Sequence, residues 1–83
     1  MTTVQDIQAF LTNSAVGVLE VSREDVTPTT PLVDIGMTSF YAVLLCGMIE
    51  DEYEIEVEPL LMFECRTIAE VSEEVLEVIK RQK

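Results

Sequence analysis

Histidine is absent from this chain of 83 residues, and cysteine and glycine are scarce. Without histidine a Ser-His-Asp triad cannot form and no serine has its ordinary base, which argues strongly against a small hydrolase. The two cysteines, Cys46 and Cys65, predict no zinc site when histidine is missing. The glycines form no phosphate-binding loop, and none falls in the acidic run 50–58 where a calcium loop would need one. We therefore expect a protein without metal that does no catalysis alone.

Basic residues are scarce too. Five Lys and Arg stand against sixteen Asp and Glu, which gives a net charge of −11. Between positions 34 and 77 twelve acids accompany a single base, Arg66, whereas Lys80, Arg81 and Lys83 close the chain. This balance predicts basic protein surfaces as partners and argues against nucleic acid. The alternative is that the acidity serves solubility alone.

Long hydrophobic runs are missing as well. The longest covers residues 40–49, which is too short to span a bilayer. Residues 1–10 have neither the basic start nor the apolar centre of a signal peptide. Cys46 falls within an apolar helical pattern, which favours reduced, buried thiols over a disulfide. We expect a cytoplasmic monomer with no membrane partner.

The apolar residues that are present suffice for one modest core, since 48% of the chain is hydrophobic. We treat residues 1–83 as a single domain. Thr2 or Thr3, with Gln5 or Asp6 three residues later, predicts the start of a first helix. Apolar residues at three- and four-residue steps predict its buried stripe and an end near position 19: Val4, Ile7, Leu11, Ala15, Val18 and Leu19.

Residues 20–38 interrupt this helical pattern. Pro28 and Pro31 cannot continue a helix, because each lacks an N–H group and biases its predecessor toward extended geometry. Apolar residues still recur through the stretch and predict a loop held against the core: Val26, Leu32, Val33 and Ile35. A loop this long in a compact domain is usually functional or disordered, and its apolar anchors favour a functional loop.

A second helix is predicted to begin at Thr38 or Ser39 and to end near Glu52. One stripe at helical spacing is assigned to the core: Ala42, Leu45, Cys46, Ile49 and Tyr53. The opposite face is unusually apolar for a surface helix, and consists of Phe40, Leu44, Gly47, Met48 and Asp51. Either this helix is buried on both sides or the second face is a docking surface. We favour the docking surface, because so short a chain has little material to cover it.

The segment after the second helix alternates glutamate with Tyr53, Ile55 and Val57, which predicts an extended stretch with its apolar side turned inward. Residues 59–63 then predict a short helix with Pro59 at its first position.

Thr67 and Glu70 predict the capping box of a last helix, in which Glu77 and Arg81 would form an ion pair. Its buried stripe is Ile68, Val71, Val75, Val78 and Ile79. Three main helices, one short helix and a long first loop predict an all-α fold, a small four-helix bundle.

Ser39 lies where the long loop gives way to the most apolar run of the chain. This places a hydroxyl at a helix N-terminus, where free backbone N–H groups and the helix dipole favour an attached anion by about 0.3–1 kcal/mol. In a chain without a catalytic base, such a serine is best interpreted as a substrate for another enzyme. The alternative role is that of a plain N-cap.

The segment Asp34-Ile35-Gly36-Met37-Thr38-Ser39-Phe40 resembles the D-x-G-x-[D]-S-[L] attachment motif of acyl and peptidyl carrier proteins. Asp34, Gly36 and Ser39 match the motif, and the residue after the serine stays apolar. Length, acidity, the proline-bearing first loop and the opening of the last helix at 67–70 also resemble the family. The resemblance therefore covers nearly the whole chain and implies an acyl-carrier-protein-like bundle.

This resemblance implies a carrier function. A phosphopantetheinyl transferase would attach 4′-phosphopantetheine from coenzyme A to the Ser39 hydroxyl, with Asp34, Gly36 and Thr38 as the rest of the attachment motif. The thiol of the arm would hold an acyl, aminoacyl or polyketide group as a thioester, between a loading enzyme and downstream synthase or transferase enzymes. Thr38 stands where the family usually has aspartate, so a negative charge is lost beside the site while the helix can still be capped.

The implied partner surface is apolar. Leu44 stands where carriers of bacterial fatty-acid synthesis often present an acid, and Met37, Phe40 and Met48 extend the surface, with Asp51 at its end. This pattern favours a freestanding carrier of a specialised pathway of polyketide or nonribosomal peptide type. The alternative is an acidic helical interaction module that uses the same docking face and has no prosthetic group.

Overall fold

A computed structural model describes residues 2–82 of the chain, so that Lys83, the last base of the predicted basic end, lies outside the described residues. Four α-helices follow one another: α1 (Val4–Leu19), α2 (Ser39–Tyr53), α3 (Leu61–Glu64) and α4 (Ile68–Gln82). Two 3₁₀ turns, Arg23–Asp25 and Leu32–Ile35, lie in the long first loop, and no strand occurs within residues 2–82. The predicted all-α four-helix bundle is confirmed. No helix of the described residues has the length and apolar character that crossing a bilayer requires.

The core forms where α1 packs against both α2 and α4. Each long helix contributes buried residues at helical spacing: Ile7, Leu11 and Ala15 from α1, Ala42, Leu45, Cys46 and Ile49 from α2, and Ile68, Val71 and Val75 from α4. At one end the rings of Phe10 and Tyr53 meet edge to face, with centroids 5.6 Å apart. These residues form the centre of each predicted stripe. The remaining members of the stripes are only partly buried: Val4, Val18, Leu19, Tyr53, Val78 and Ile79.

Helix α1 begins with the predicted capping box. Thr3 Oγ1 accepts a hydrogen bond from the backbone N–H of Asp6, and the Asp6 carboxylate accepts one from the backbone N–H of Thr3, both at 3.1 Å. The helix ends at Leu19 because Glu20 turns into the left-handed region, with φ 56°.

Helix α4 begins with a variant of the predicted box. Thr67 Oγ1 accepts from the Glu70 N–H at 3.3 Å, but the Glu70 carboxylate reaches the backbone N–H of Arg66, at 2.6 Å, rather than that of Thr67. The predicted ion pair of Glu77 with Arg81 is wrong, because the Arg81 side chain reaches two turns back to the Glu74 carboxylate, at 3.2 Å. Both partners of that pair are exposed, so it contributes little to stability.

The long first loop is tied to the start of α4. The Leu32 N–H donates to the Arg66 carbonyl at 2.8 Å, and the Ala69 N–H donates to the Pro28 carbonyl at 2.9 Å. Three of the four predicted apolar anchors are buried: Val26, Leu32 and Ile35. Val33 is not an anchor, because it points outward and is 68% exposed. The loop therefore has fixed geometry where it approaches α2.

The connection from α2 to α3 is not helical over residues 55–58, and Ile55 is buried, as predicted. The side-chain amide of Gln82 pairs with the Glu56 backbone, accepting from its N–H at 2.9 Å and donating to its carbonyl at 3.1 Å. The short helix begins at Leu61, two residues later than predicted, because Pro59 lies in the turn that precedes it.

Candidate functional site

The segment 34–40 joins the second 3₁₀ turn to α2, and one glycine makes that junction possible. Gly36 closes the turn with φ 95°, in the left-handed region that disfavours side chains. A Cβ atom built there would meet nothing within 4 Å, so the backbone angle and not space requires glycine. The Gly36 N–H donates to the Val33 carbonyl at 3.3 Å and the Met37 N–H to the Leu32 carbonyl at 3.1 Å, which folds the segment back on itself.

Met37 was predicted to lie on the partner surface, and this placement is wrong. Its side chain is only 6% exposed and belongs to the hydrophobic core. The left-handed turn at Gly36 reverses the chain, so the next side chain enters the interior with Leu32 and Ile35. Met37 therefore anchors the segment to the core and leaves its neighbours on the surface.

Thr38, not Ser39, is the N-cap of α2. Its backbone is extended, with φ −132° and ψ 173°, and its carbonyl accepts the first helical hydrogen bond, from the Ala42 N–H at 2.8 Å. Its Oγ1 atom accepts from the Tyr41 N–H at 3.5 Å, which is a long hydrogen bond. The threonine that replaces the family's usual aspartate thus keeps the capping role and removes only the charge.

Ser39 is the first residue of α2 and is exposed. Because Thr38 caps the helix, the Ser39 hydroxyl is not needed for capping, and no residue within 2–82 hydrogen-bonds to it. The hydroxyl lies at the positive end of the dipole of a 15-residue helix, beside N–H groups that have no helical partner. Asp34 lies five residues earlier, exposed on the 3₁₀ turn. Chemically, Ser39 is an accessible acceptor for an anionic group rather than a structural hydroxyl.

Beyond Ser39, α2 presents an apolar surface to solvent. Phe40 is 67% exposed and Leu44 is 41% exposed, while Met48 is partly buried against the core and Asp51 is exposed. Val43 is exposed as well and lies between them on the helix, which the sequence reasoning missed although its spacing from Phe40 and Gly47 places it on this face. We call Phe40, Val43, Leu44, Met48 and Asp51 the α2 surface.

Every exposed large hydrophobic side chain of the described residues lies between positions 33 and 63. Besides those on the α2 surface they are Val33, Leu60 and Phe63. Neither α1 nor α4 contributes one. Exposed large apolar side chains that lie together mark interaction surfaces, and on α2 they lie together. Val33, Leu60 and Phe63 lie in short turns and in the four-residue helix α3, where no periodic pattern could have predicted their exposure.

The thiols of this chain are poor nucleophiles. Burial, assisted by the nearby Glu50 carboxylate, raises the pKa of Cys46 to about 11. Burial also raises the pKa of Cys65, with Glu74, Glu70 and Glu64 adding to the shift. Both thiols are therefore protonated at neutral pH and react slowly. Within residues 2–82, no cluster of acids and cysteines could hold a metal ion.

Comparison with known proteins gives a family and several structural neighbours. The model of a family described as "Phosphopantetheine attachment site" matches residues 9–75, which include the whole segment 34–40. No curated protein matches this sequence.

Among solved structures, a free-standing peptidyl carrier protein from an uncharacterised secondary metabolic pathway of Acinetobacter baumannii is 23% identical, with a TM-score of 0.83 over 89% of this chain and 92% of its own. The HMG-ACPI domain of the CurA module from Lyngbya majuscula is 16% identical, with a TM-score of 0.84 over 98% of this chain and 83% of its own. At these identities the two structures support the fold.

Proposed function

This chain belongs to the family of phosphopantetheine-attachment domains, carrier proteins that bear covalent 4′-phosphopantetheine, and from that premise we propose that Ser39 is its attachment residue. The observation that carries the proposal is the division of roles between two neighbours. Thr38 caps α2, so the Ser39 hydroxyl stays exposed and unused. A serine that served only as a cap would accept a hydrogen bond from its own helix.

The surrounding residues fit an attached phosphodiester. The first turn of α2 contains no acidic side chain, so no carboxylate of that turn repels a negative group at Ser39. The helix N-terminus favours such a group by about 0.3–1 kcal/mol. Gly36 makes the turn beside the site, Met37 holds that turn in the core, and Asp34 completes the motif on its exposed side.

Attachment is a phosphoryl transfer. The bond from Ser39 Oγ to phosphorus forms while the bond from that phosphorus to the bridging oxygen of the coenzyme A pyrophosphate breaks, and adenosine 3′,5′-bisphosphate leaves. The serine proton goes to a base, and we assign that base to the phosphopantetheinyl transferase because no side chain of residues 2–82 hydrogen-bonds to the Ser39 hydroxyl. The attached group supplies a terminal thiol, on which cargo is held as a thioester. In this proposal, Asp34 and Thr38 position Ser39 for the transferase.

We further propose a freestanding, non-catalytic monomer that carries acyl, aminoacyl or polyketide intermediates in a specialised biosynthetic pathway of polyketide or nonribosomal peptide type. Its partners would be a loading enzyme and downstream synthase or transferase enzymes, with no role for nucleic acid at a net charge of −11. We also propose a cytoplasmic location, because a buried cysteine outside any disulfide, such as Cys46, is typical of proteins in reducing compartments.

The α2 surface is the proposed contact for these enzymes. Phe40 and Leu44 supply exposed apolar area beside Ser39, and Asp51 belongs to the acidic end of the helix. An apolar centre with an acidic edge suits a partner with apolar pockets and a basic rim. The same surface would also serve an interaction module without a prosthetic group, so only covalent modification separates these two functions.

Intact-mass measurement tests the attachment. Incubation with coenzyme A and a promiscuous phosphopantetheinyl transferase should add the mass of one phosphopantetheine group to the native protein. Ser39→Ala should add none, and Ser22→Ala, which changes an exposed serine before the first 3₁₀ turn, should be modified normally. A native protein that gains no mass with several transferases would establish the interaction module instead.

A further inference from the structure

A surface groove lies between the first loop, α3 and the start of α4. It has a volume of about 440 Å³, within the range of small-molecule sites. Its floor is formed by the buried side chains of Leu32 and Met62, and its walls by the exposed Val33 and Phe63. The side chains of Val33 and Phe63 are exposed instead of being packed in the core, so the groove has the composition of a binding surface.

Backbone hydrogen bonds fix the two segments whose side chains form the walls of the groove. The Leu32 N–H donates to the Arg66 carbonyl at 2.8 Å, which fixes the loop wall to the base of α4. On the opposite wall, the Phe63 N–H donates to the Leu60 carbonyl at 2.9 Å within the α3 turn. A preformed groove costs little conformational entropy to fill.

The cavity found between the helices of the described residues is far smaller than this groove. The cavity lined by Leu11, Leu45 and Met62 among others has a volume of about 10 Å³, room for about one water molecule. A group attached through Ser39 therefore has to lie outside the core unless the helices separate. The surface groove offers such a group an apolar site outside the core.

The groove lies within reach of Ser39. The Met37 N–H donates to the carbonyl of Leu32, a residue of the groove floor, at 3.1 Å. Ser39 is two residues beyond Met37, which is about 7 Å of chain at most. The phosphopantetheine arm contains two amide units in series and is longer than this separation.

Arg66 lies on the rim of the groove and is the single base between positions 34 and 77. Its guanidinium group forms no ion pair with any residue from 2 to 82. Glu70 lies on the same rim, where its Oε2 atom accepts from the backbone N–H of Arg66 at 2.6 Å and its carboxylate forms no ion pair with the Arg66 guanidinium. An unpaired guanidinium beside an apolar groove offers a bidentate site for a carboxylate.

We propose that this groove holds the cargo, and that the cargo is an acyl group with an apolar body and a free terminal carboxylate, which Arg66 binds. The inference rests on the proposed attachment at Ser39. Val33 and Phe63 contact the methylene groups of the acyl chain, and the thioester end remains on the side of α2, where partner enzymes reach it.

The test compares two acyl groups of equal length on the same arm. A promiscuous transferase loads the protein from adipoyl- or hexanoyl-coenzyme A, and intact mass confirms loading before any other measurement. Amide chemical shifts then locate the cargo, and the rate of thioester cleavage by hydroxylamine reports its protection. Arg66→Gln removes the charge, and Arg23→Gln is the matched control, because Arg23 is an exposed arginine of the first 3₁₀ turn.

We expect the adipoyl group to shift the amides of Val33, Phe63 and Arg66 more than the hexanoyl group does, and to be cleaved about two- to five-fold more slowly, the range of an exposed ion pair. Arg66→Gln should abolish that difference and Arg23→Gln should keep it.

Loaded protein with shifts confined to the α2 surface, or with equal cleavage rates for both acyl groups, would overturn the proposal while leaving attachment intact. Amide shifts in the groove that appear only while the transferase is present, and not in the loaded protein alone, would show that the transferase contacts the groove. That result would also overturn the groove proposal. Protein that never gains the acyl-phosphopantetheine mass would instead refute the attachment at Ser39, and the groove proposal with it.

Discussion

Thr38 and Ser39 are neighbours with separate roles, and two alanine substitutions should separate stability from modification. Thr38→Ala removes the N-cap of α2. Loss of a threonine cap costs about 0.5–2 kcal/mol in the free energy of unfolding. The Tyr41 N to Thr38 Oγ1 distance of 3.5 Å is long, so we expect a value in the lower half of that range, about 0.5–1 kcal/mol.

Ser39→Ala should behave in the opposite way. The hydroxyl has no hydrogen-bond partner among residues 2–82, so its removal leaves no group unsatisfied. Alanine is the better helix former by up to about 0.5 kcal/mol, so the free energy of unfolding should stay equal or rise slightly. Modification should be lost completely in this variant and retained in Thr38→Ala.

Urea unfolding of the unmodified proteins, followed by circular dichroism, measures both free energies, and intact mass measures modification of the same samples. A shared m-value would show that the two unfolding curves can be compared. Ser39→Ala that loses more than about 1 kcal/mol would mean that the serine itself caps the helix, against the assignment to Thr38. Ser39→Ala that still accepts phosphopantetheine would refute the attachment site.

Three further predictions follow from burial, backbone angle and pKa. Leu44→Glu should weaken cargo transfer from a partner enzyme and leave the free energy of unfolding nearly unchanged. Leu45→Ala, at a position only 3% exposed, should cost about 2–5 kcal/mol by thermal or urea unfolding. A similar loss of stability for both variants would mean that Leu44 belongs to the core. Gly36→Ala should cost about 1–2 kcal/mol through its left-handed backbone, and Gly36→Asn less, so equal losses in urea unfolding would contradict the strain argument. Because burial raises the pKa of Cys46 to about 11, its alkylation by iodoacetamide at pH 8 should be slower than that of the half-buried Cys65. The rate for Cys46 should increase as the pH rises toward 11. Peptide mapping measures both rates, and faster labelling of Cys46 than of Cys65 would contradict its burial.

The interior stripes of α1, α2 and α4 could be predicted because apolar spacing along a helix depends only on the helical repeat. Caps could be predicted for the same reason, since a cap joins residues three positions apart, as Thr3 and Asp6 do. The prediction failed where a side chain bonded to a residue at a different spacing from the one expected for a cap or an ion pair. The Glu70 carboxylate bonds to Arg66 instead of Thr67, and Arg81 pairs with Glu74 instead of Glu77.

The acidic charge, the missing histidines and the segment 34–40 were enough to predict a carrier domain, which the family match confirms, and to predict by resemblance that Ser39 is its attachment residue. Sequence also placed the start of α2 correctly, because a polar, proline-bearing loop next to a long apolar run leaves little choice of boundary. It did not decide which of Thr38 and Ser39 caps the helix, since either residue type can do so and only the backbone angles separate them.

The sequence by itself determined the helices, the buried stripe of each and the position of Ser39 at a helix N-terminus, because all three depend on contacts within a few residues. Only the tertiary structure decided which loop residues face inward. Met37 is buried and Val33 exposed, the reverse of both expectations, because the left-handed turn at Gly36 and the Leu32–Arg66 hydrogen bond set their directions. The groove beside Arg66 has the same origin, since its walls come from segments thirty residues apart that meet only in the folded chain.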